Sequence, residues 1–153
     1  MSYFQIKIPT MKKLLFFLLF IPVFTYSQEP SKDDTKITVT AADTANLFNR
    51  ICLAMLDKGY SIESKDATLK FVSSTEKTLG SRSIKIRAII KDSLIVFTGQ
   101  VASNSTFTIY GMKNERVFKE LHYIKTKESS INKIWNEFDS FAKSFGKKIK
   151  YSK

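Results

Sequence analysis

The chain is expected to fold as a small α+β unit. The architecture would be a two-layer sandwich, an antiparallel sheet of four to six strands with two helices on one face. Three observations lead there. Residues Ser83 to Ala102 alternate apolar and polar side chains on either side of Asp92-Ser93, as in a hairpin with one buried face. The stretches 43–58 and 129–145 space their apolar residues at helical intervals. The order β-α-β-β-β-β-α gives each helix one apolar stripe and the sheet one apolar face, and the simplest packing joins these in two layers. A length of 153 residues fits one domain.

The first 27 residues read as an export signal. Met11-Lys12-Lys13 precedes an apolar run from Leu14 to Phe24, interrupted only by Pro22 and followed by Thr25-Tyr26-Ser27. A charged start, an apolar middle and a small residue at the end place cleavage between Ser27 and Gln28. The run is well short of the ~20 apolar residues that cross a bilayer, so no transmembrane anchor is expected in the mature form. No cysteine follows the run, so no lipid anchor is expected either. The signal is complete from Met11. Either translation starts there or residues 1–10 lengthen the charged region. The expected location is the periplasm or the medium.

Residues 28–36 are polar and read as a mobile linker before a single domain at 37–149. Lys36 to Thr40 alternates and is β-branched, a first strand. Asp43-Thr44 offers a cap for a helix over 43–58, whose apolar stripe is Leu47, Phe48, Ile51, Cys52 and Met55. Gly59 suits the left-handed position after its end. Strands follow at 60–64 and 69–76, separated by a turn at 65–67. A second turn near Gly80 leads to the strands 83–90 and 94–102. Pairing those two about Asp92-Ser93 puts Ile84, Ile86, Ala88, Ile90, Ile95, Phe97 and Val101 on one face. The other face holds Lys85, Arg87, Ile89, Lys91, Leu94, Val96, Thr98 and Gln100. Residues 107–110 read as a further strand or a continuation, and 111–127 carry no assignable pattern. Ser129-Ser130 caps the last helix. Its stripe is Ile131, Ile134, Trp135, Phe138, Phe141, Ala142 and Phe145, it ends at Gly146, and Lys147-Lys148 complement its negative end.

Composition narrows the function classes. With 43% hydrophobic and 13% aromatic residues the chain is not intrinsically disordered. Residues 28–153 carry 22 basic and 14 acidic side chains, a net charge of +8. That charge favours contact with polyanions, whether nucleic acid, anionic lipid or acidic polysaccharide, and serves solubility equally well. Export and a sheet without interleaved aromatics argue against nucleic acid.

The residues that could carry chemistry are few. His122 is the only histidine and Cys52 the only cysteine, so a zinc site from these types is implausible. Cys52 falls on a helical apolar stripe, where a thiol is an inert small hydrophobe. Phosphate loops, nucleophile elbows and paired carboxylates are absent. The chain is therefore expected not to be an enzyme, and to take no cofactor and no metal. The one candidate surface is the stripe of Lys85, Arg87 and Lys91, with Lys70 beside it. It would hold an anionic ligand or a partner, although a solvated face that deters sheet aggregation has the same pattern.

One stretch carries a resemblance. A helix ending in Leu56-Asp57-Lys58-Gly59-Tyr60, then Ile62 and Asp66, then a strand with Phe71-Val72-Ser73-Ser74-Thr75, resembles the repeated domain of the outer-membrane assembly lipoprotein BamC. It is also similar to small exported Gram-negative domains with that helix-grip, TBP-like arrangement. The resemblance spans about 30 residues, from Ala45 to Thr75. This chain departs from it in having no lipidation cysteine and one such domain. Known members of that family are accessory binding modules without catalytic residues, so no functional positions carry over. The expected function is a non-enzymatic protein-interaction module of the cell envelope. The alternative is a binder of anionic glycan or lipid headgroup through the basic sheet face.

Overall fold

The computed structural model describes residues 28–104, 108–109, 112–113, 116–126 and 129–153. In chain order the elements are β1 (Lys36–Thr40), α1 (Leu47–Asp57), β2 (Ile62–Asp66), β3 (Phe71–Ser74), β4 (Lys77–Leu79), β5 (Arg82–Lys91), β6 (Leu94–Ser103), β7 (Thr108–Ile109), β8 (Met112–Lys113), β9 (Lys119–Glu120), α2 (Ser130–Lys143) and β10 (Lys148–Ser152). The export signal and its cleavage bond, and the outer residues of the strand expected at 107–110, lie outside the described residues.

The β5–β6 hairpin is the spine. Its ten rungs run from Lys91 opposite Leu94 to Arg82 opposite Ser103, so the two-residue turn falls at Asp92-Ser93 as the alternation predicts. Asp92 takes the positive φ that such a turn demands. Shorter strands flank the spine, in the order β10-β1-β6-β5-β3-β2. Beyond the end of β1, β9 pairs with β6; beyond the end of β3, β4 pairs with β5. All of the pairings are antiparallel. The α+β class is as expected, but the main sheet has eight strands rather than four to six. Of the run 69–76 only Phe71–Ser74 is strand, β4 forms at Lys77–Leu79 where a turn near Gly80 was expected, and a further strand, β10, follows the last helix.

Both helices pack on one face. Leu47, Ile51 and Met55 of α1 join Ile134, Trp135, Phe138, Phe141 and Ala142 of α2 in one core with Ile37, Val39, Ile84, Ile86, Ala88, Ile95 and Phe97 of the sheet. Trp135 is 1% exposed, as its place in the stripe predicts. Its ring lies 5.7 Å from Tyr123, 5.6 Å from Phe138 and 6.5 Å from Tyr151. The Ser129 hydroxyl accepts from the Asn132 amide at 3.0 Å and so caps α2.

The start of α1 differs from expectation. The helix begins at Leu47, and its N-cap is Asn46 at φ 49°, with no side-chain cap bond. Asp43 instead accepts from the Ala45 amide at 2.8 Å and pairs with Arg50 at 3.0 Å. A local turn thus captures the side chain that would have capped the helix.

Two further segments depart from the sequence reading. The lead-in, expected to be mobile, is tied down. Asp34 is buried, its carboxylate accepts from the Ser31 amide, and residues 33 and 34 exchange backbone bonds with Tyr123. The Gln28 side chain accepts from the Tyr151 amide at 3.3 Å. The segment 116–126, part of the stretch 111–127 without assignable pattern, is held by the pairing of β9, by the Tyr123 bonds to residues 33 and 34, and by one close fit. Leu121 is fully buried over Gly99, whose missing Cβ would stand 2.9 Å from the leucine side chain.

Candidate functional site

Strand alternation leaves the second face of the sheet without a helix. The register fixes what shares that face. One row across the strands reads Lys148, Thr40, Leu94, Lys91. The next reads Lys150, Thr38, Val96, Ile89, Phe71, Asp66. A third reads Ser152, Lys36, Thr98, Arg87, Ser73, Ser64. Gln100, between Glu120 and Lys85, begins a fourth.

The middle of this surface is uncharged. Val96, Ile89 and Phe71 are half-buried, Leu94 is 40% exposed, and Thr38 and Thr98 lie beside them. Cations stand around this strip. Among the described residues Arg87, Lys91, Lys148 and Lys150 are exposed and form no ion pair. Arg87 lies over the Phe71 ring at 5.4 Å, a contact that orients the guanidinium without neutralising it. Lys85 is differently placed. It pairs with Glu63 at 2.8 Å and sits over Phe118 at 5.2 Å. Lys36 donates to the Lys153 carbonyl at 2.9 Å.

One end of the face is closed. Arg116 reaches across it, pairing with Glu76 at 2.9 Å and donating to Ser83 and Asn104. Ser83 also donates to Asn104 at 2.9 Å and meets Thr78 at 3.2 Å, so its hydroxyl is buried yet satisfied. Phe118 lies beneath both Lys85 and Arg116. The open surface therefore ends near Lys85.

Of the four basic residues singled out from the sequence, three share this face: Lys85, Arg87 and Lys91. Lys70 does not. It closes the β2–β3 turn at φ 51°, where Asp66 accepts from the amides of Thr68 and Leu69. Its carbonyl accepts from Ile90, and the residue lines a cleft on the helix side with Leu47, Phe48 and Ile90. Strand alternation agrees with this: Phe71 stands on the open face opposite Ile89, so Lys70, like Val72, falls on the helix side. Sequence reasoning in turn missed Lys36, Lys148 and Lys150. For Lys148 and Lys150 the signal is the alternation of Lys148-Ile149-Lys150-Tyr151-Ser152, which marks a strand whose Ile149 and Tyr151 are buried; for Lys36 it is its place at the head of the alternating strand 36–40.

The helix side holds a second concavity, of about 470 Å³, between the β4–β5 turn and α2, lined by Leu79, Gly80, Ser130, Lys133, Ile134 and Glu137. His122 is half-buried between Leu121 and Tyr123, and Cys52 is half-buried on α1 against the core. Burial, reinforced by Glu137, raises the Tyr60 phenol well above its ordinary value. Among the described residues no group of three or more His, Cys, Asp or Glu side chains is placed to hold a metal ion, and no helix is long and apolar enough to cross a membrane. No protein-family model matches the chain, and no curated protein matches it.

Proposed function

We propose that the domain is a non-enzymatic protein-interaction module of the cell envelope, delivered by the N-terminal export signal, and that the open sheet face receives its partner. The observation that carries this is the layout of that face. An uncharged strip of Leu94, Val96, Ile89 and Phe71 lies inside a border that includes Arg87, Lys91, Lys148 and Lys150. Protein interfaces have this anatomy, an apolar centre and a polar rim. A site for a polyanion would run its cations together, whereas here Thr40 and Leu94 stand between Lys148 and Lys91. The rim selects an acidic partner and speeds its approach.

The second reading, an anionic glycan or lipid headgroup, draws on the same four unpaired cations. Salt separates the two. Contacts to exposed cations are screened over about 8 Å at physiological ionic strength, so headgroup or glycan binding fades steeply as salt is added. A partner seated on the apolar strip stays bound. The experiment is recovery from envelope extract at low and high salt, with wild type, Val96→Glu and Arg87→Glu/Lys91→Glu. The proposal expects salt-resistant recovery of one acidic protein, abolished by Val96→Glu and weakened by the charge variant. Recovery that disappears in high salt, or that Val96→Glu leaves unchanged, would overturn it.

A further inference from the structure

Helix α1 is apolar on the wrong side as well as the right one. Its buried line is Leu47, Ile51 and Met55. At 3.6 residues per turn the opposite line is Asn49, Leu53 and Leu56. Leu53 is 59% and Leu56 52% exposed. A helix that serves only to cover a sheet would carry polar residues there. The outward face of α2 does, with Lys133, Asn136 and Ser140.

The charges beside the leucines say what fits. Arg50 and Asp57 lie on the same flank of this line, two turns apart, with Leu53 near their midpoint. Such a strip, basic at one end, apolar in the middle and acidic at the other, is complementary to itself when turned end over end. A two-fold contact requires this of its surface, since residue i must suit j on the other copy and j must suit i. Asp57 forms no ion pair among the described residues. Arg50 is shared with Asp43 at 3.0 Å and keeps an exposed side.

We propose that a second copy of this chain docks on the outward face of α1, antiparallel and two-fold symmetric about Leu53, with Arg50 of each copy paired to Asp57 of the other. The site is independent of the open sheet face, which lies on the opposite side of the molecule. Two leucines and two charges per copy fall short of a standard interface of about 1,600 Å², so the dimer is a weak one that forms at high protein concentration.

The test is sedimentation of the mature protein from micromolar to millimolar concentration, with charge variants. Wild type is expected to shift from monomer to dimer. Arg50→Asp and Asp57→Arg each replace two attractions with two repulsions and should raise the dissociation constant about tenfold or more. Mixed together, the two variants should pair with one another, because one face is then wholly acidic and the other wholly basic. Leu53→Asp should abolish the dimer. Arg50→Asp also removes the bonds to Asp43, but Asp57→Arg breaks no contact and places a cation at a helix C-terminus, where it is favoured. Wild type that remains monomeric at millimolar concentration, a dimer indifferent to Asp57→Arg, or a mixture that does not pair would each overturn the proposal. Arg87→Glu/Lys91→Glu should leave self-association unchanged; loss of the dimer in that variant would place the contact on the sheet face instead.

Discussion

Tyr151 shows how a single side chain joins two distant pieces of chain. It stands on the edge strand β10 with its ring in the core, and its hydroxyl donates to Asp139 of α2 at 2.7 Å. Lys143 pairs with the other oxygen of that carboxylate at 2.6 Å. Burial, and then the Asp139 carboxylate, push the phenol from its ordinary value near 10 up to about 12. The folded state thus holds this proton more tightly than the unfolded chain does. The contribution to stability is complete below pH 10 and is lost as pH rises toward 12. Tyr151→Phe should cost about 1–2 kcal/mol near neutral pH, read by urea unfolding, with the gap to wild type closing through the alkaline window. Trp135 sets the larger scale. Its replacement by Ala should cost about 3–5 kcal/mol, because three aromatic neighbours lose their packing partner. A cost under about 0.5 kcal/mol, as at a surface site, would mean that α2 is not docked on the sheet.

Elements meet closely at two glycines, and the two differ in what stands opposite. A Cβ on Gly146 would lie 2.0 Å from the Thr40 carbonyl oxygen, which is backbone of β1. A Cβ on Gly99 would meet the side chain of Leu121, which can shift. Gly146→Ala should therefore destabilise by about 1–3 kcal/mol and Gly99→Ala by less, compared by thermal unfolding. Gly146 was legible in the sequence as a helix end, but its closer constraint, the approach to β1, was not. The same division runs through the fold. The β5–β6 hairpin and α2 were readable because their pattern is local, period two in one and a regular apolar stripe in the other. The start of α1 was misplaced because Asp43 had two local uses, cap or turn, and the turn prevailed. β10 was missed because Lys147-Lys148 read as the charged end of a helix. β9 and the chain after it depend on Leu121 meeting Gly99, a contact between distant residues that no periodicity announces.

At the scale of the whole molecule, the candidate surface is assembled by non-local pairing. Arg87 and Lys91 were visible from one hairpin. Lys148 and Lys150 join them only because β10 adds to β1, which adds to β6. Lys70 leaves the group because Phe71 takes the open face, which puts Lys70 with Val72 on the helix side. The apolar strip was visible residue by residue, yet its position inside a basic border follows from strand order alone. The two faces of the sandwich thus have separate duties: one is filled by the helices, and the other is proposed to meet an acidic partner. Photocrosslinking in living cells tests that assignment most directly, with a photoreactive side chain placed in turn at Val96 or Ile89 on the open face and at Lys133 on the outer side of α2. One discrete adduct is expected from Val96 and Ile89, and none from Lys133. Adducts from Lys133 alone, or none from Val96 and Ile89, would contradict it.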